Sequence, residues 1–192
     1  MKIGVLALQG AVIEHIKSLQ QAGADEVVTV KRKEDLQGLD GLVLPGGEST
    51  TIGKLMNQYD LMNPIREMAQ AGTPMFGTCA GLILLAGRIH GQDWVHLGIM
   101  DILVDRNSFG RQRESFETDL KVKGIEGEPY RAVFIRAPHI MEVGDQVEVL
   151  STYQDRIVAA RQGHLLGASF HPELTDDVRL HQYFLDMVRE TR

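Results

Sequence analysis

The chain has little cysteine, no long apolar run and no excess of positive charge, and each absence excludes a class of protein. Cys79 is the single cysteine among 192 residues, so an internal disulfide framework is excluded. No apolar run approaches the roughly 20 residues that a bilayer-spanning helix needs. The formal net charge of −6 argues against nucleic acid or an anionic membrane as the main partner. We therefore expect a soluble, cytoplasmic protein.

Length and residue spacing also limit the domain and cofactor predictions. A chain of 192 residues with 43% hydrophobic content predicts a single domain, residues 1–192, with a sizeable core. The apolar stretch after Lys2 is interrupted by Gln9 and Glu14, so no secretory signal is evident. The seven histidines form no cluster with cysteine or carboxylate at metal-ligand spacing. We predict neither a metal nor a cofactor.

Strand-like and helix-like segments alternate along the first half of the chain. Strands are predicted at residues 2–8, 26–31, 41–44 and 75–78, and helices at residues 11–22, 51–58, 63–71 and 176–189. This order implies an α/β, flavodoxin-like fold with a central, mostly parallel sheet flanked by helices on both faces. Residues 97–170 read as added short strands on the same core. Ligands of such sheets bind outside the carboxyl ends of the strands.

The strongest motif is a Gly-x-Cys-x-Gly turn between a predicted strand and an apolar helix. It reads Gly77-Thr78-Cys79-Ala80-Gly81. This is the thiol version of the nucleophile elbow, in which the reactive side chain stands on a tight turn at a helix N-terminus. The N–H of Ala80 is then available to a developing oxyanion. An inert buried cysteine is the alternative, because free cysteine is often a core residue.

A histidine and a carboxylate stand two residues apart near the end of the chain. In His171-Pro172-Glu173, the proline favours extended backbone, which would place both side chains on one face. His171 would then take the proton of Cys79, and Glu173 would orient the imidazole. A surface turn is the alternative. Triad members assemble in space, so their separation in sequence is no objection.

A glycine pair follows the predicted strand at residues 41–44. Gly46 and Gly47 allow the backbone to approach a ligand closely and to present N–H groups to it. An ordinary turn at a strand end is the alternative for any Gly-Gly pair taken alone. The presence of two other candidate catalytic segments in the same chain favours the functional interpretation.

Together the three segments resemble the class I (triad) glutamine amidotransferases. Many members carry Gly-x-Cys-x-Gly-x-Gln, whereas Ile83 occupies the glutamine position here. This variant is similar to the glutaminase subunits of pyridoxal 5′-phosphate synthase. Four further segments share that similarity: Gly4-Val5-Leu6-Ala7-Leu8-Gln9-Gly10-Ala11, Pro45-Gly46-Gly47-Glu48-Ser49-Thr50-Thr51, Arg106-Asn107-Ser108-Phe109-Gly110-Arg111-Gln112 and Phe134-Ile135-Arg136-Ala137-Pro138. The resemblance runs nearly end to end.

The resemblance implies roles for further residues. Arg106 and Arg136 would bind the α-carboxylate of glutamine through the planar guanidinium fork. Glu48 would hold the α-ammonium, with a helix N-terminal cap as its structural alternative. The remaining substrate-binding predictions are Gly47, Ser49 and, through its backbone, Ile135. Other residues interpreted as structural are His139, His164 and His181.

The resemblance also implies a reaction and a partner. Cys79 would attack the side-chain amide of L-glutamine, with the oxyanion held by Ala80 and by the Gly46-Gly47 loop. The ammonia would pass to a (β/α)₈ synthase subunit that makes pyridoxal 5′-phosphate from ribose 5-phosphate and glyceraldehyde 3-phosphate, in a large hetero-oligomer. The loop Gln9-Gly10-Ala11 is predicted to dock the synthase and to gate the oxyanion hole.

Two other functions stay open at this point. One is an amidotransferase subunit of another pathway on the same fold, such as the one feeding imidazole glycerol phosphate synthesis. Ile83 and the segment at residues 106–112 weigh against it. The other is a non-enzymatic flavodoxin-like binding module, against which the intact set of Cys79, His171 and Glu173 weighs.

Overall fold

The computed structural model describes residues 1–107 and 115–191. Within them the strands are β1 (Lys2–Leu6), β2 (Glu26–Val30), β3 (Gly41–Leu44), β4 (Met75–Thr78), β5 (Ala86–Ile89), β6 (Met100–Asp105), β7 (Ser115–Leu120), β8 (Tyr130–Ile135), β9 (His139–Val143), β10 (Glu148–Tyr153), β11 (Arg156–Gln162) and β12 (Leu165–Ala168). The helices are α1 (Val12–Ala22), α2 (Ser49–Gln58), α3 (Met62–Gln70), α4 (Ala80–Leu85) and α5 (Arg179–Glu190), with 3₁₀ helices at Lys33–Leu36 and Pro172–Leu174. Among these helices none is long and apolar enough to cross a membrane.

The large sheet has a parallel half and an antiparallel half. Its strand order is β2-β1-β3-β4-β12-β11-β9-β6-β5, with β10 paired to β11. The ladders from β2 to β12 are all parallel, as the alternation of strands and helices predicts. The added strands β11, β9 and β6 continue the sheet through antiparallel pairs, and β5 ends it parallel to β6. Strands β7 and β8 form a separate antiparallel pair.

Both faces of the parallel half are covered by helices. Every residue of β3 and β4 is buried, which is typical of strands covered on both sides. One apolar cluster packs α2, α3 and α4 against the sheet and includes Ile52, Ile65 and Leu82. The opposite cluster packs α1 and α5 with β8 and includes Leu19 and Phe184. The two helical layers leave the ends of the strands as the places where a ligand can enter.

The four predicted helices begin one to three residues from their predicted starts, and a side-chain contact explains the two larger shifts, those of α2 and α5. Helix α2 begins at Ser49, not at residue 51, because the Glu48 carboxylate accepts the N–H groups of Thr50 and Thr51 and caps the first turn. Helix α5 begins at Arg179, not at residue 176. The Asp177 carboxylate accepts the backbone N–H and the guanidinium of Arg179, which holds the preceding residues in a turn.

The candidate segments follow four neighbouring parallel strands. The loop Gln9-Gly10-Ala11 lies after β1, the Gly46-Gly47 pair after β3, Cys79 after β4 and His171 after β12. Because the carboxyl ends of parallel strands meet at one edge of a sheet, the fold gathers these segments at that edge.

Candidate active site

Cys79 occupies a strained turn between β4 and α4. Its φ of 53° and ψ of −107° lie in a region that residues other than glycine rarely adopt. The Cys79 N–H donates to the Ala168 carbonyl over 2.8 Å, which ties the turn to β12. A Cβ at Gly81 would overlap the carbonyl oxygen of Leu44, and one at Gly77 would overlap that of Gly81. Close packing therefore requires both glycines of the motif, as in a nucleophile elbow.

His171 and Glu173 form a buried pair. His171 Nδ1 lies 2.6 Å from Glu173 Oε1, and both side chains are almost fully buried. The extended backbone expected here is wrong, because Pro172–Leu174 is a 3₁₀ helix. Its tight turn brings the carboxylate back to the ring. The His171 N–H donates to the Val133 carbonyl over 2.8 Å, which fixes the residue against β8.

Gly46 lies against both His171 and Cys79. A Cβ built on Gly46 would stand 2.7 Å from His171 Cε1 and 3.2 Å from Cys79 Cβ. Burial opposes protonation of His171, but hydrogen bonds to Cys79 and Glu173 outweigh it and raise its pKa to about 10. The ring is therefore an imidazolium at neutral pH.

The end of β8 and the residue after it form another wall of the site. Cys79 Sγ lies 3.9 Å from the carbonyl oxygen of Ile135, so the backbone of this residue reaches the sulfur. The Ile135 side chain is partly exposed at the rim. Arg136 follows with a φ of 45°, a conformation uncommon outside glycine and typical of functional turns. The structure thus brings the predicted backbone contact together with Cys79.

Glu48 has the capping role that we gave as the alternative to substrate binding. Its carboxylate accepts from the hydroxyl and N–H groups of Thr50 and Thr51, and these hydrogen bonds, those from the two hydroxyls foremost, lower its pKa to about 2. The side chain is exposed and therefore still able to meet a ligand cation. Ser49 is buried as the first residue of α2. Binding of an α-ammonium by Glu48 stays a prediction.

Arg106 is close to a buried histidine that sequence reasoning missed. The Arg106 guanidinium stands 5.6 Å from the centre of the Trp94 ring. Burial lowers the pKa of His96, the charge of Arg106 lowers it further, and the charge of Glu48 raises it. Two of the three charged residues predicted to bind substrate, Arg106 and Glu48, therefore act on His96. In the segment at residues 106–112, residues 108–112, which include Arg111, lie outside the described residues.

The N-terminal loop holds the glycine pair. Gln9 Oε1 accepts from the Glu48 N–H over 2.8 Å, and the Ala11 N–H donates to the Gly46 carbonyl over 3.2 Å. Gly10 has a φ of +100°, and a Cβ there would overlap the Gly46 carbonyl oxygen. The loop predicted to gate the site is therefore hydrogen-bonded to the loop predicted to hold the oxyanion.

A buried histidine pair behind Glu173 was also missed. His15 Nε2 lies 3.5 Å from Glu173 Oε2 and 3.0 Å from Thr78 Oγ1, while His15 Nδ1 lies 2.9 Å from His181 Nε2. Burial, and next the electrostatic effect of the neighbouring His181, lower the pKa of His15 well below its usual value, and burial lowers the pKa of His181 to about 3. Helical spacing could have found His15, which stands three residues after Val12 on the inner face of α1.

Comparison with known proteins identifies relatives over the whole length. The model of the SNO glutamine amidotransferase family matches residues 5–190. The pyridoxal 5′-phosphate synthase subunit PdxT of Geobacillus kaustophilus is 66% identical over 192 residues, which cover 100% of this chain and 97% of the relative. PdxT of Niallia circulans is 65% identical, with 100% of both chains covered.

Solved structures agree on the fold. A crystal structure of a glutamine amidotransferase has a TM-score of 0.92 at 49% identity and covers 97% of this chain and 98% of its own. PurLQS from Thermotoga maritima has a TM-score of 0.71 at 18% identity, covers 99% of this chain and 97% of its own, and shares the fold alone. The predicted α/β fold class is confirmed by these neighbours.

Proposed function

The chain belongs to the SNO glutamine amidotransferase family, and on this basis we propose that it hydrolyses L-glutamine with Cys79, His171 and Glu173 and supplies the ammonia to a pyridoxal 5′-phosphate synthase partner. The observation that carries the proposal is the strained turn at Cys79, whose side chain interacts with His171, while His171 Nδ1 lies 2.6 Å from the buried Glu173 Oε1. A thiol, an imidazole and an orienting carboxylate are the parts of an activated nucleophile.

The reaction has two halves. The Cys79 thiolate attacks the side-chain amide carbon of glutamine, and the imidazolium of His171 gives its proton to the departing ammonia. This leaves a γ-glutamyl thioester and a neutral imidazole. His171 then takes a proton from water as the water attacks the thioester, which releases glutamate and restores the thiolate–imidazolium pair. The short contact to Glu173 keeps the ring in one orientation through both halves.

The oxyanion of each half would be held by backbone N–H groups. The N–H of Ala80 follows the nucleophile directly, and Gly46 lies against Cys79. The carbonyl of Gly46 accepts from Ala11. In a trans peptide the N–H of Gly47 is directed away from that contact. The orientation of this one peptide therefore decides which of its groups faces the N-terminal loop, and glycine permits it to turn at low cost.

Substrate anchoring would use the charges around the site. Arg106 and Arg136 would bind the α-carboxylate, and Glu48, with its pKa of about 2, offers a permanently ionised partner for the α-ammonium. Ser49 and the backbone of Ile135 complete the predicted set. The carbonyl of Ile135 near Cys79 Sγ supports its share in that role.

Partner docking would occur at the N-terminal loop. The PdxT relatives are named as subunits of pyridoxal 5′-phosphate synthase, which implies a synthase subunit as the partner of this chain also. Ile13, one turn beyond Gly10, is 64% exposed and offers an apolar contact beside the loop. A partner that contacts residues 9–13 would act directly on the Ala11–Gly46 hydrogen bond. Such a contact would couple binding of the synthase to the orientation of the peptide that forms the oxyanion hole.

The test is a glutaminase assay with and without the cognate synthase subunit. We expect little glutamate release from the isolated chain and a rise in kcat with saturating synthase, because one oriented oxyanion donor is worth roughly 10²–10³ in kcat. An imidazole glycerol phosphate synthase subunit serves as the control partner and should not activate. Absence of glutamate release in the presence of the synthase would refute the proposed function, whereas full activity of the isolated chain would refute only the gating.

A further inference from the structure

A chain of buried polar side chains continues from Glu173 to the far side of α1. The first oxygen of Glu173 binds His171, and its second oxygen has no hydrogen-bond partner within the described residues. His15 Nε2 is the ring nitrogen near that second oxygen, at 3.5 Å, and it also lies 3.0 Å from Thr78 Oγ1. His15 Nδ1 is in turn 2.9 Å from His181 Nε2. Both rings are fully buried, at 0% exposure.

Only two proton arrangements satisfy the contact between the two rings, because each neutral imidazole carries a single N–H. In the first, His15 donates from Nδ1 to His181. Its bare Nε2 then faces the Glu173 carboxylate, and the proton of His181 sits on Nδ1, which has no partner in the described structure. In the second, His181 donates from Nε2 to His15. The N–H of His15 is then on Nε2 and faces Thr78 and Glu173.

Electrostatics favours the second arrangement. The first places a lone pair 3.5 Å from a carboxylate oxygen and buries an orphaned N–H donor, and each of these costs free energy in a low-dielectric interior. The second directs an N–H dipole at the anion and leaves only a bare ring nitrogen unsatisfied. A buried acceptor without a partner is the better tolerated of the two defects.

We propose that His15 is a positioning residue for the reaction: held by His181, it directs its Nε2–H at Glu173 Oε2 and thereby fixes the carboxylate that orients His171. The inference rests on the proposed function in so far as His171 acts on Cys79. At 3.5 Å the contact is too long for a strong hydrogen bond, so it acts as a charge–dipole interaction shared with Thr78.

Core packing alone does not explain this pair. Two buried imidazoles, one with an unsatisfied nitrogen, pack less favourably than leucine or phenylalanine would in the same space.

The contact between His15 and Glu173 also links two parts of the molecule. His15 lies one turn into α1, directly after the N-terminal loop that holds Gly46. A shift of the N-terminal end of α1 would therefore move the His15 side chain relative to Glu173.

The first experiment reads the protons directly and requires no activity. Long-range ¹H–¹⁵N spectra of histidine-labelled protein at neutral pH distinguish Nδ1–H from Nε2–H tautomers, and the variants His15→Gln and His181→Gln assign the signals. We expect both histidines to be neutral and in the Nε2–H form. An Nδ1–H tautomer for His15 would overturn the proposal, whatever the protein does with glutamine.

The second experiment separates positioning from packing. With saturating synthase, His15→Leu should lower kcat on the order of tenfold and leave the glutamine KM unchanged, as expected for loss of a contact to a charged group. His15→Gln keeps an amide N–H near the Nε2 position and should recover most of kcat. His164→Leu is the control, since the His164 ring lies 2.6 Å from the Ala69 carbonyl oxygen and precedes β12 at the end of that strand opposite to His171.

Two outcomes of these kinetics would contradict the proposal. One is an unchanged kcat in a folded His15→Leu protein. The other is an equal loss of kcat in His15→Leu and His15→Gln when both retain the wild-type melting temperature. The downfield proton signal of the His171–Glu173 hydrogen bond gives an independent check, because it should move in His15→Leu and stay in place in the His164 control.

Discussion

Acidification should destabilise this protein through His181 by an amount that the structure allows us to calculate. Burial lowers the pKa of folded His181 to about 3, while the unfolded side chain has the ordinary value of 6.5. Between pH 6.5 and about 3, His181 therefore binds a proton in the unfolded chain but not in the folded chain. The stability contributed by the neutral ring is present above pH 6.5 and is lost progressively as the pH falls toward 3.

The magnitude follows from the size of that window. About pH 5 lies roughly 1.5 pH units below the pKa of unfolded His181. Protonation of this residue therefore stabilises the unfolded chain there, and lowers the free energy of unfolding, by about 2 kcal/mol. His15, whose pKa burial also lowers, acts in the same direction. His171 acts oppositely. Its pKa is raised to about 10, so its contribution is complete below pH 6.5 and is lost as the pH rises through 10.

Urea unfolding of the wild type and of His181→Gln at about pH 7 and about pH 5 isolates this contribution, because the other titrating groups are common to both proteins. Glutamine keeps a donor toward His15. We expect the loss of stability between the two pH values to be smaller in the variant by about 2 kcal/mol. His90→Gln, which removes an exposed histidine, should show the wild-type loss. An equal loss in wild type and His181→Gln would refute the reasoning, because folded His181 would then bind protons as readily as the unfolded residue.

Four further predictions concern the site. Cys79→Ala should abolish glutamate release while the circular dichroism spectrum is retained, and residual turnover in a folded variant would remove the nucleophile assignment. His171→Asn should be nearly as damaging in kcat, and Glu173→Gln milder, because the orienting carboxylate is usually the least costly member of a triad to lose. Arg106→Ala should raise the glutamine KM more than it lowers kcat, at a cost on the order of 1.5–3 kcal/mol; an unchanged KM would place the α-carboxylate elsewhere. Gly10→Val should uncouple the chain from activation by the synthase, since any Cβ there would overlap the Gly46 carbonyl. Normal activation would move the switch away from this loop.

Local patterns predicted the segments of the site because each is a short signal tied to one strand end. The Gly-x-Cys-x-Gly turn and the Gly46-Gly47 pair follow buried apolar strands, and the parallel order of those strands is itself readable from the alternation with helices. The His171–Glu173 contact was also predicted, although on the wrong backbone. A 3₁₀ helix and an extended strand can both bring residues two apart together, so the spacing alone does not distinguish them.

The histidine pair could not be predicted in the same way. His15 and His181 belong to helices at opposite ends of the chain, and their contact exists only because α1 and α5 pack side by side on one face of the sheet. Helical spacing places His15 on the inner face of α1, but no local signal shows that it meets His181 or Glu173. The same holds for His96, which lies near Arg106 and Glu48 only after the chain has folded.

The position of β12 has a consequence for how the protein is made. It pairs with β4 in the middle of the sheet, yet β5 to β11 are synthesised between the two. Until β12 arrives, the apolar β4 is an open edge, and Cys79 lacks both the Ala168 carbonyl and His171. A partly synthesised chain therefore exposes an unpaired apolar strand edge beside Cys79, and such edges favour aggregation. Non-local pairing of this kind is slow, so Cys79 and His171 come together only when β12 has paired with β4.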